Sequence, residues 1–130
     1  QPVIRDTKIT LAMDVVSNGT FAMTDENSLW RVHNDKPNTL AAVIYLTPDA
    51  PFDTGTSFYR HKETGLTKMG VFSDADKNDC YDPDLWEEID RIGNVYNRCI
   101  IFDADRYHCA TKYTGERLFQ VFFFDLIDND

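Results

Sequence analysis

The sequence predicts a mainly β protein, a β-sandwich or jelly roll with one or two short helices. Nine Phe, six Tyr and two Trp, together with runs of Val, Ile and Thr, favour sheet over helix. Short apolar segments are separated by polar turns, and helical periodicity occurs in one segment alone. At 130 residues and 42% apolar composition, the chain is long enough to bury a core. We therefore treat residues 1–130 as a single domain.

The first third of the chain predicts strands divided by polar breaks. Residues 3–16 mix β-branched and polar side chains and predict one or two strands, and residues 17–19 predict a turn. A second polar break covers residues 25–28. The segment from Trp30 predicts the next strand, which ends at Pro37 because proline cannot donate to a central ladder.

The middle of the chain predicts two more strands and a long loop. Residues 40–47 are apolar on both faces, as in a central strand that is covered on both sides. Residues 55–61 alternate small or polar side chains with aromatic ones. Residues 65–78 are irregular and acidic, and predict either a lid over an opening or, with slight preference, a plain surface excursion.

The segment from Asp82 to Gly93 predicts the clearest helix of the chain. Asp82 is suited to the N-cap, and Pro83 follows at the first helical position. The apolar residues form one helical stripe at Leu85, Ile89 and Ile92. After this helix, residues 98–103 predict a buried strand, a short strand includes His108, residues 114–115 predict a turn, and residues 117–126 predict the last strand.

Charge and cysteine content exclude several function classes. A net charge of -9 repels phosphate backbones, which argues against non-specific nucleic-acid binding. No apolar run approaches the roughly 20 residues that span a bilayer, so we expect a soluble protein with no membrane partner.

Three cysteines are an odd number without framework spacing, which favours reduced thiols in the cytoplasm. We expect Cys99 and Cys109 to be buried and inert. Residues 18–20 match a glycosylation sequon but predict a tight turn.

The residues that point to chemistry begin with His33-Asn34-Asp35. On an extended strand the imidazole of His33 and the carboxylate of Asp35 point to the same face. His108 lies far downstream and is followed by Arg117 after a short turn containing glycine. Two histidines and one carboxylate that leave a metal face open form the facial triad of non-haem Fe(II) oxygenases. A nearby cation can bind the far carboxylate of a dicarboxylic acid cosubstrate.

Each of these residues also has an ordinary structural explanation. His33 could be an exposed histidine paired with Asp35, and His108 could be a core histidine with its hydrogen bonds satisfied. Arg117 could be a surface charge at the start of a strand. Their joint order and spacing favour the metal site.

Their order resembles that of the Fe(II)- and 2-oxoglutarate-dependent oxygenases, in particular the prolyl-4-hydroxylase-like branch with its double-stranded β-helix (jelly-roll) fold. The resemblance runs from about Trp30 to Phe124. Its landmarks, in family order, are His33-Asn34-Asp35, Ile44-Tyr45-Leu46, Gly55-Thr56-Ser57-Phe58, residues 97–102, Tyr107-His108 and Gly115-Glu116-Arg117.

The resemblance implies roles for five residues. His33, Asp35 and His108 would bind Fe(II), and Arg117 would pair with the distal carboxylate of 2-oxoglutarate. Tyr45 is a secondary candidate that would give a hydroxyl to the cosubstrate, and it could also simply be a core residue. No catalytic residue is implied beyond the metal ligands. The chain departs from the family at one position near the arginine. Members of the family often have a small hydroxyl residue two positions after it, and this chain has Phe119 there. The family's glycine-rich turn is reduced to residues 54–57, and the chain resembles a minimal core or a fragment.

The function implied is a dioxygenase that uses O2 to hydroxylate a C–H bond and releases succinate and CO2. The resemblance suggests a peptide or protein substrate, although the same scaffold also serves small molecules. A jelly-roll binding module without catalysis is one alternative. A cupin-like metalloenzyme without a keto acid is a weaker one, because cupins use more histidines and this chain has three. The sequence does not indicate an oligomeric state.

Overall fold

The computed structural model describes residues 7–11, 18–69, 79–112 and 115–128. The predicted mainly β fold is confirmed: the described residues form eight strands in two antiparallel sheets. The strands are β1 (Thr7–Leu11), β2 (Phe21–Thr24), β3 (Leu40–Tyr45), β4 (Thr56–His61), β5 (Trp86–Ile92), β6 (Cys99–Asp103), β7 (His108–Ala110) and β8 (Arg117–Asp128).

The larger sheet is built around the long strand β8. Its order is β1-β8-β3-β6, and β2 pairs with the first part of β8 on the same side as β1. The central position of β3 follows from its apolar sequence, because Leu40–Tyr45 offers no charged side chain to either face. The smaller sheet has the order β5-β4-β7.

The two sheets contact each other through an aromatic core. Phe58 on the smaller sheet packs edge to face on Phe102 of the larger sheet, with ring centroids 5.2 Å apart. Ala41 and Ala104 complete this buried cluster. A second buried cluster lies on the other face of β4 and includes Val32, Tyr59, Trp86, Tyr107 and Cys109. Since Phe58 and Tyr59 alternate along β4, the smaller sheet is covered on both faces at this level.

The prediction of a helix from Asp82 to Gly93 is wrong. Only the first turn of the predicted helix is present, as the 3-10 turn Pro83–Leu85. The Asp82 carboxylate caps this turn by accepting a hydrogen bond from the Asp84 backbone amide. The chain then extends as β5, because Trp86–Ile92 pairs with β4 from His61 back to Thr56. A register shift between Phe58 and Tyr59 breaks strict alternation on β5. Because of this irregularity, the apolar residues of the segment are spaced as in a helix, and the sequence pattern did not indicate a strand.

Other predictions had mixed outcomes. The strand predicted from Trp30 is wrong, because this segment contributes only an isolated bridge at His33. The predicted burial of Cys99 is also wrong, since Cys99 is exposed on β6, whereas Cys109 is buried. The turn at Asn18-Gly19 is confirmed, with Gly19 at a φ of 80°.

Three parts of the chain for which predictions were made lie outside the described residues. They are residues 12–17, most of the loop at 65–78, and Thr114 of the predicted turn. No helix in the described part of the chain is long and apolar enough to cross a membrane.

Candidate metal centre

The two histidines of the predicted site are joined through their backbones. The His33 amide donates to the His108 carbonyl at 3.0 Å, and the His108 amide donates to the His33 carbonyl at 2.9 Å. This antiparallel bridge brings together two segments that are far apart in sequence. The imidazole rings consequently lie side by side, with centroids 4.4 Å apart.

Asp35 completes the cluster from the same segment as His33. Its amide donates to the Ala104 carbonyl at 2.7 Å, which fixes the chain just before β7. Its Oδ1 lies 3.7 Å from Nε2 of His33, and its Oδ2 lies 3.1 Å from Nε2 of His108. One ligand atom from each of the three residues lies within 4.8 Å of the other two, a separation suited to a single metal ion.

Backbone carbonyls orient both imidazoles. Nδ1 of His33 is 3.2 Å from the Arg31 carbonyl, and Nδ1 of His108 is 2.8 Å from the Arg106 carbonyl. A carbonyl only accepts, so each Nδ1 carries the proton and donates it. Nε2 of each ring is the nitrogen left to face Asp35. Metal-binding histidines commonly have this arrangement, in which the second nitrogen is fixed by a hydrogen bond.

The electrostatics of the cluster favour a cation between the three side chains. Burial, with a contribution from the charge of His108, lowers the pKa of His33 from its ordinary 6.5 to about 4. Burial alone would raise the pKa of Asp35, but the hydrogen bond that a doubly protonated His108 donates from Nε2, and the positive charge of each imidazole in its protonated form, outweigh it and lower that pKa. At neutral pH a neutral His33 therefore turns its Nε2 lone pair toward an ionised carboxylate. A positive ion between them removes this repulsion.

The cluster forms one part of the wall of a cavity of about 600 Å³ between the two sheets. The same cavity is lined by Tyr45 and Arg117, so all five residues predicted from the sequence meet in one space. A cavity of this size is typical of small-molecule sites. Much of the remaining wall is apolar, and Phe119 is part of it.

Arg117 lies at the start of β8 and is only 6% exposed. Its Nη1 donates to the carbonyls of Thr54 and Gly55. The reduced turn at residues 54–57 thus has a role that the sequence did not suggest, which is to anchor the guanidinium by its backbone. A buried cation in a cavity wall is a site for an anionic group.

Tyr45 is buried on β3, and its hydroxyl lies 2.7 Å from Oγ1 of Thr56. Burial raises the pKa of Tyr45, so its hydroxyl stays protonated at neutral pH. Thr56 was not predicted as a site residue. Thr56 alternates with Phe58 along β4, so its hydroxyl shares the inward face with that core residue, and this position is the signal that could have identified it.

The chain has a third histidine, His61, which lies outside this cluster. It is 2% exposed at the far end of β4, where its Nε2 is 2.9 Å from Oδ2 of Asp79 and its Nδ1 is 3.1 Å from the Thr64 hydroxyl. Its ring packs against Trp86. His61 is therefore a core histidine and an internal control for the other two.

Comparison with known proteins places the chain in a family without assigning an activity. No curated protein and no solved structure matches the chain. A family described as a family of unknown function, DUF6445, matches residues 15–120, which includes all three residues of the candidate metal centre and most of the residues that line its cavity. The chain therefore belongs to the DUF6445 family.

Proposed function

We propose that this protein is an Fe(II)- and 2-oxoglutarate-dependent dioxygenase. In the proposed reaction one O2, one 2-oxoglutarate and one substrate C–H bond give succinate, CO2 and the hydroxylated substrate. One O2 oxygen atom enters succinate and the other enters the new hydroxyl group. The observation that carries the proposal is the convergence of His33, Asp35, His108 and Arg117 on one cavity.

The three side chains fit an Fe(II) ion by their chemistry. Two imidazole nitrogens and one carboxylate oxygen on a single side of a metal leave positions open on the other side, as in the facial triad of non-haem iron oxygenases. Bound together, iron and a 2-oxo acid supply the O2 activation that protein side chains lack. The chain provides the placement and the surroundings for that chemistry.

Each side chain has a defined task in this proposal. The carbonyls of Arg31 and Arg106 hold the imidazoles with Nε2 toward the metal position. Asp35 supplies negative charge that offsets part of the charge of a divalent ion. The apolar walls of the cavity limit water near the site, which strengthens the electrostatic interactions inside it.

In this proposal Arg117 binds the distal carboxylate of the cosubstrate. β4 gives the distance between the two ends of the cavity. At one end Phe58 of β4 pairs with His108. At the other end Gly55, which directly precedes β4, contacts Arg117. Three residues along β4 correspond to roughly 10 Å at 3.3 Å per residue. The guanidinium of Arg117 contacts Gly55 at one end of this span and His108 lies at the other, a separation that a five-carbon dicarboxylic acid bound to the metal can bridge.

We also propose that the two sheets are the core of a double-stranded β-helix, or jelly roll. Two antiparallel sheets that face each other across a cavity support this finer assignment. The metal ligands lie at the end of the cavity where β7 begins. This arrangement is consistent with a site at the open mouth of such a fold.

The test is an anaerobic titration of the metal-free protein with Fe(II) and then 2-oxoglutarate. A visible charge-transfer band is expected when the keto acid chelates bound iron. His108→Ala should lose the band, whereas His61→Ala should keep it because His61 is not one of the three clustered residues. If iron binds and no band forms, a non-catalytic binding module or a cupin-like metalloenzyme explains the site better. Where the band forms, succinate release with candidate peptides and small molecules then identifies the substrate class.

A further inference from the structure

The side of the larger sheet that faces away from the cavity exposes large apolar side chains. Along β8, Phe119, Val121 and Phe123 line the cavity, so the residues that alternate with them point to the opposite side. Six large apolar residues of β1, β2, β6 and β8 are exposed there. They are Leu11, Phe21, Met23, Ile101, Leu118 and Leu126, and with the half-buried side chains between them they form the outer face.

Strand register joins the outer face into one surface. Met23 of β2 pairs with Leu118 of β8 at one end. Farther along β8, Phe122 pairs with Ala42 of β3, which also pairs with Ile101 of β6. Directly paired residues of antiparallel strands point to the same face of a sheet. The exposed side chains of these strands are therefore neighbours and not isolated positions.

The outer face has very little charge in a strongly acidic protein. The chain carries a net charge of -9. Among the outward-pointing side chains that the structure describes on β2, β3, β6 and β8, one is charged, Asp103 at the end of β6. A chain with this net charge is repelled by anionic membrane surfaces and by nucleic acid. The chemistry of the outer face therefore fits an apolar protein surface.

The exposed area is close to what one subunit contributes to a dimer. The six residues are exposed by 40–66%. At roughly 200 Å² for a large side chain, they leave roughly 600 Å² open to solvent. A standard interface buries about 800 Å² on each partner, whereas monomers rarely expose apolar patches of more than a few hundred Å². Half-buried neighbours such as Phe122 and Phe124 can supply the difference.

We propose that two copies of this chain associate through their outer faces as a twofold-symmetric dimer. In such a dimer the same patch serves both subunits, and a patch with so little charge brings few like charges together. The two larger sheets pack face to face at about 10 Å, as in a β-sandwich. Val43 and Val121 line the cavity from the opposite side of the larger sheet. Dimerisation thus leaves both cavities accessible and does not require a metal ion.

Phe21→Lys and Ile101→Lys each place a charge on the outer face. Both residues lie on edge strands and are more than 60% exposed, so lysine is compatible with the fold of a single chain. In the symmetric dimer each substitution buries two lysines, which should raise the dimer Kd at least about a hundredfold. Leu29→Lys is the matched control. Leu29 is 75% exposed and lines the cavity, on the other side of the larger sheet.

Sedimentation equilibrium at micromolar concentrations measures the mass and the dimer Kd, and circular dichroism checks that each variant is folded. The wild type and Leu29→Lys should have the mass of two chains, and the two outer-face variants the mass of one. A monomeric wild type would overturn the dimer and leave the outer face to a different protein. A dimer that persists in both folded outer-face variants, or that Leu29→Lys also dissociates, would overturn it as well.

Salt dependence of the wild-type dimer is a second readout and needs no variant. Two chains of net charge -9 repel each other, and added salt screens this repulsion. An interface of apolar contacts contains few ion pairs for salt to weaken. The dimer Kd should therefore fall severalfold between low and physiological ionic strength. A Kd that rises with salt would show that ion pairs hold the two chains together, and would contradict association through the outer face.

Discussion

Substitution of Arg117 by methionine should separate cosubstrate binding from metal binding. Arg117 is buried in the cavity wall, away from the three ligand residues, and its Nη1 is held by two backbone carbonyls. Methionine retains part of the apolar volume and removes the charge. The variant should bind Fe(II) as the wild type does and should bind 2-oxoglutarate much more weakly.

The magnitude follows from the contacts that a carboxylate would lose. Hydrogen bonds to charged groups contribute about 1.5–3 kcal/mol each, and the planar guanidinium can form two with one carboxylate. Since the cavity is partly open, we expect a total of about 2–4 kcal/mol, which raises the Kd about thirtyfold to a thousandfold. The carbonyls of Thr54 and Gly55 also lose their donor, which should lower the free energy of unfolding by about 1–3 kcal/mol.

The assay is an anaerobic titration with 2-oxoglutarate at saturating Fe(II), with the Kd taken from the charge-transfer band. Arg117→Lys is the matched control, because it keeps the charge without the planar pair of donors. Its Kd should lie between those of the wild type and Arg117→Met. An unchanged Kd in folded Arg117→Met would refute the role of Arg117 and favour a metal site that does not use a keto acid.

Three further predictions concern protonation, thiol reactivity and the fold. His33 has a pKa lowered to about 4 in the folded, metal-free protein, so below pH 6.5 the unfolded chain takes up a proton that the folded chain does not. The denaturant midpoint should fall between pH 6.5 and 4, and His33→Gln should flatten this dependence. Cys99 is exposed, whereas burial raises the pKa of Cys109 to about 11. Cys99→Ser should thus remove a fast reaction with a thiol reagent that Cys109→Ser leaves intact. Trp86→Ala should cost about 3–5 kcal/mol of unfolding free energy, and Glu87→Ala less than about 1 kcal/mol, by denaturant titration. Equal costs would contradict the assignment of β5.

Strands with strong local signals could be predicted from the sequence. β3 is an uninterrupted apolar segment, and β8 follows a turn and is rich in phenylalanine. β2 was missed because its four residues give too short a pattern. Its position is fixed by pairing with β8, which lies far along the chain.

β5 shows where local rules fail. The capping signals at Asp82 and Pro83 were interpreted correctly, but they describe one turn and not the length of a helix. Beyond that turn, Trp86 packs on His61 and Tyr107 and its segment joins the edge of a sheet. Tertiary pairing of this kind outweighs a modest helical preference.

The sequence was sufficient to predict which residues form the candidate site, but not how they are arranged in space. The spacing of His33 and Asp35 indicated a common face, and the structure brings His108 to them through a backbone bridge. That bridge depends on contacts between distant segments, which no local pattern encodes. The inward-facing hydroxyl of Thr56 was missed for the same reason, since single threonines on strands are common.

The first property to test is whether His33, Asp35 and His108 hold one metal ion. We would measure metal stoichiometry and coordination with Co(II), whose visible absorption reports the ligand set, in the wild type, His108→Ala and His61→Ala. The expected result is one bound ion with nitrogen and oxygen ligands in the wild type and in His61→Ala, and loss of that ion in His108→Ala. Equal metal binding by all three folded proteins would contradict it.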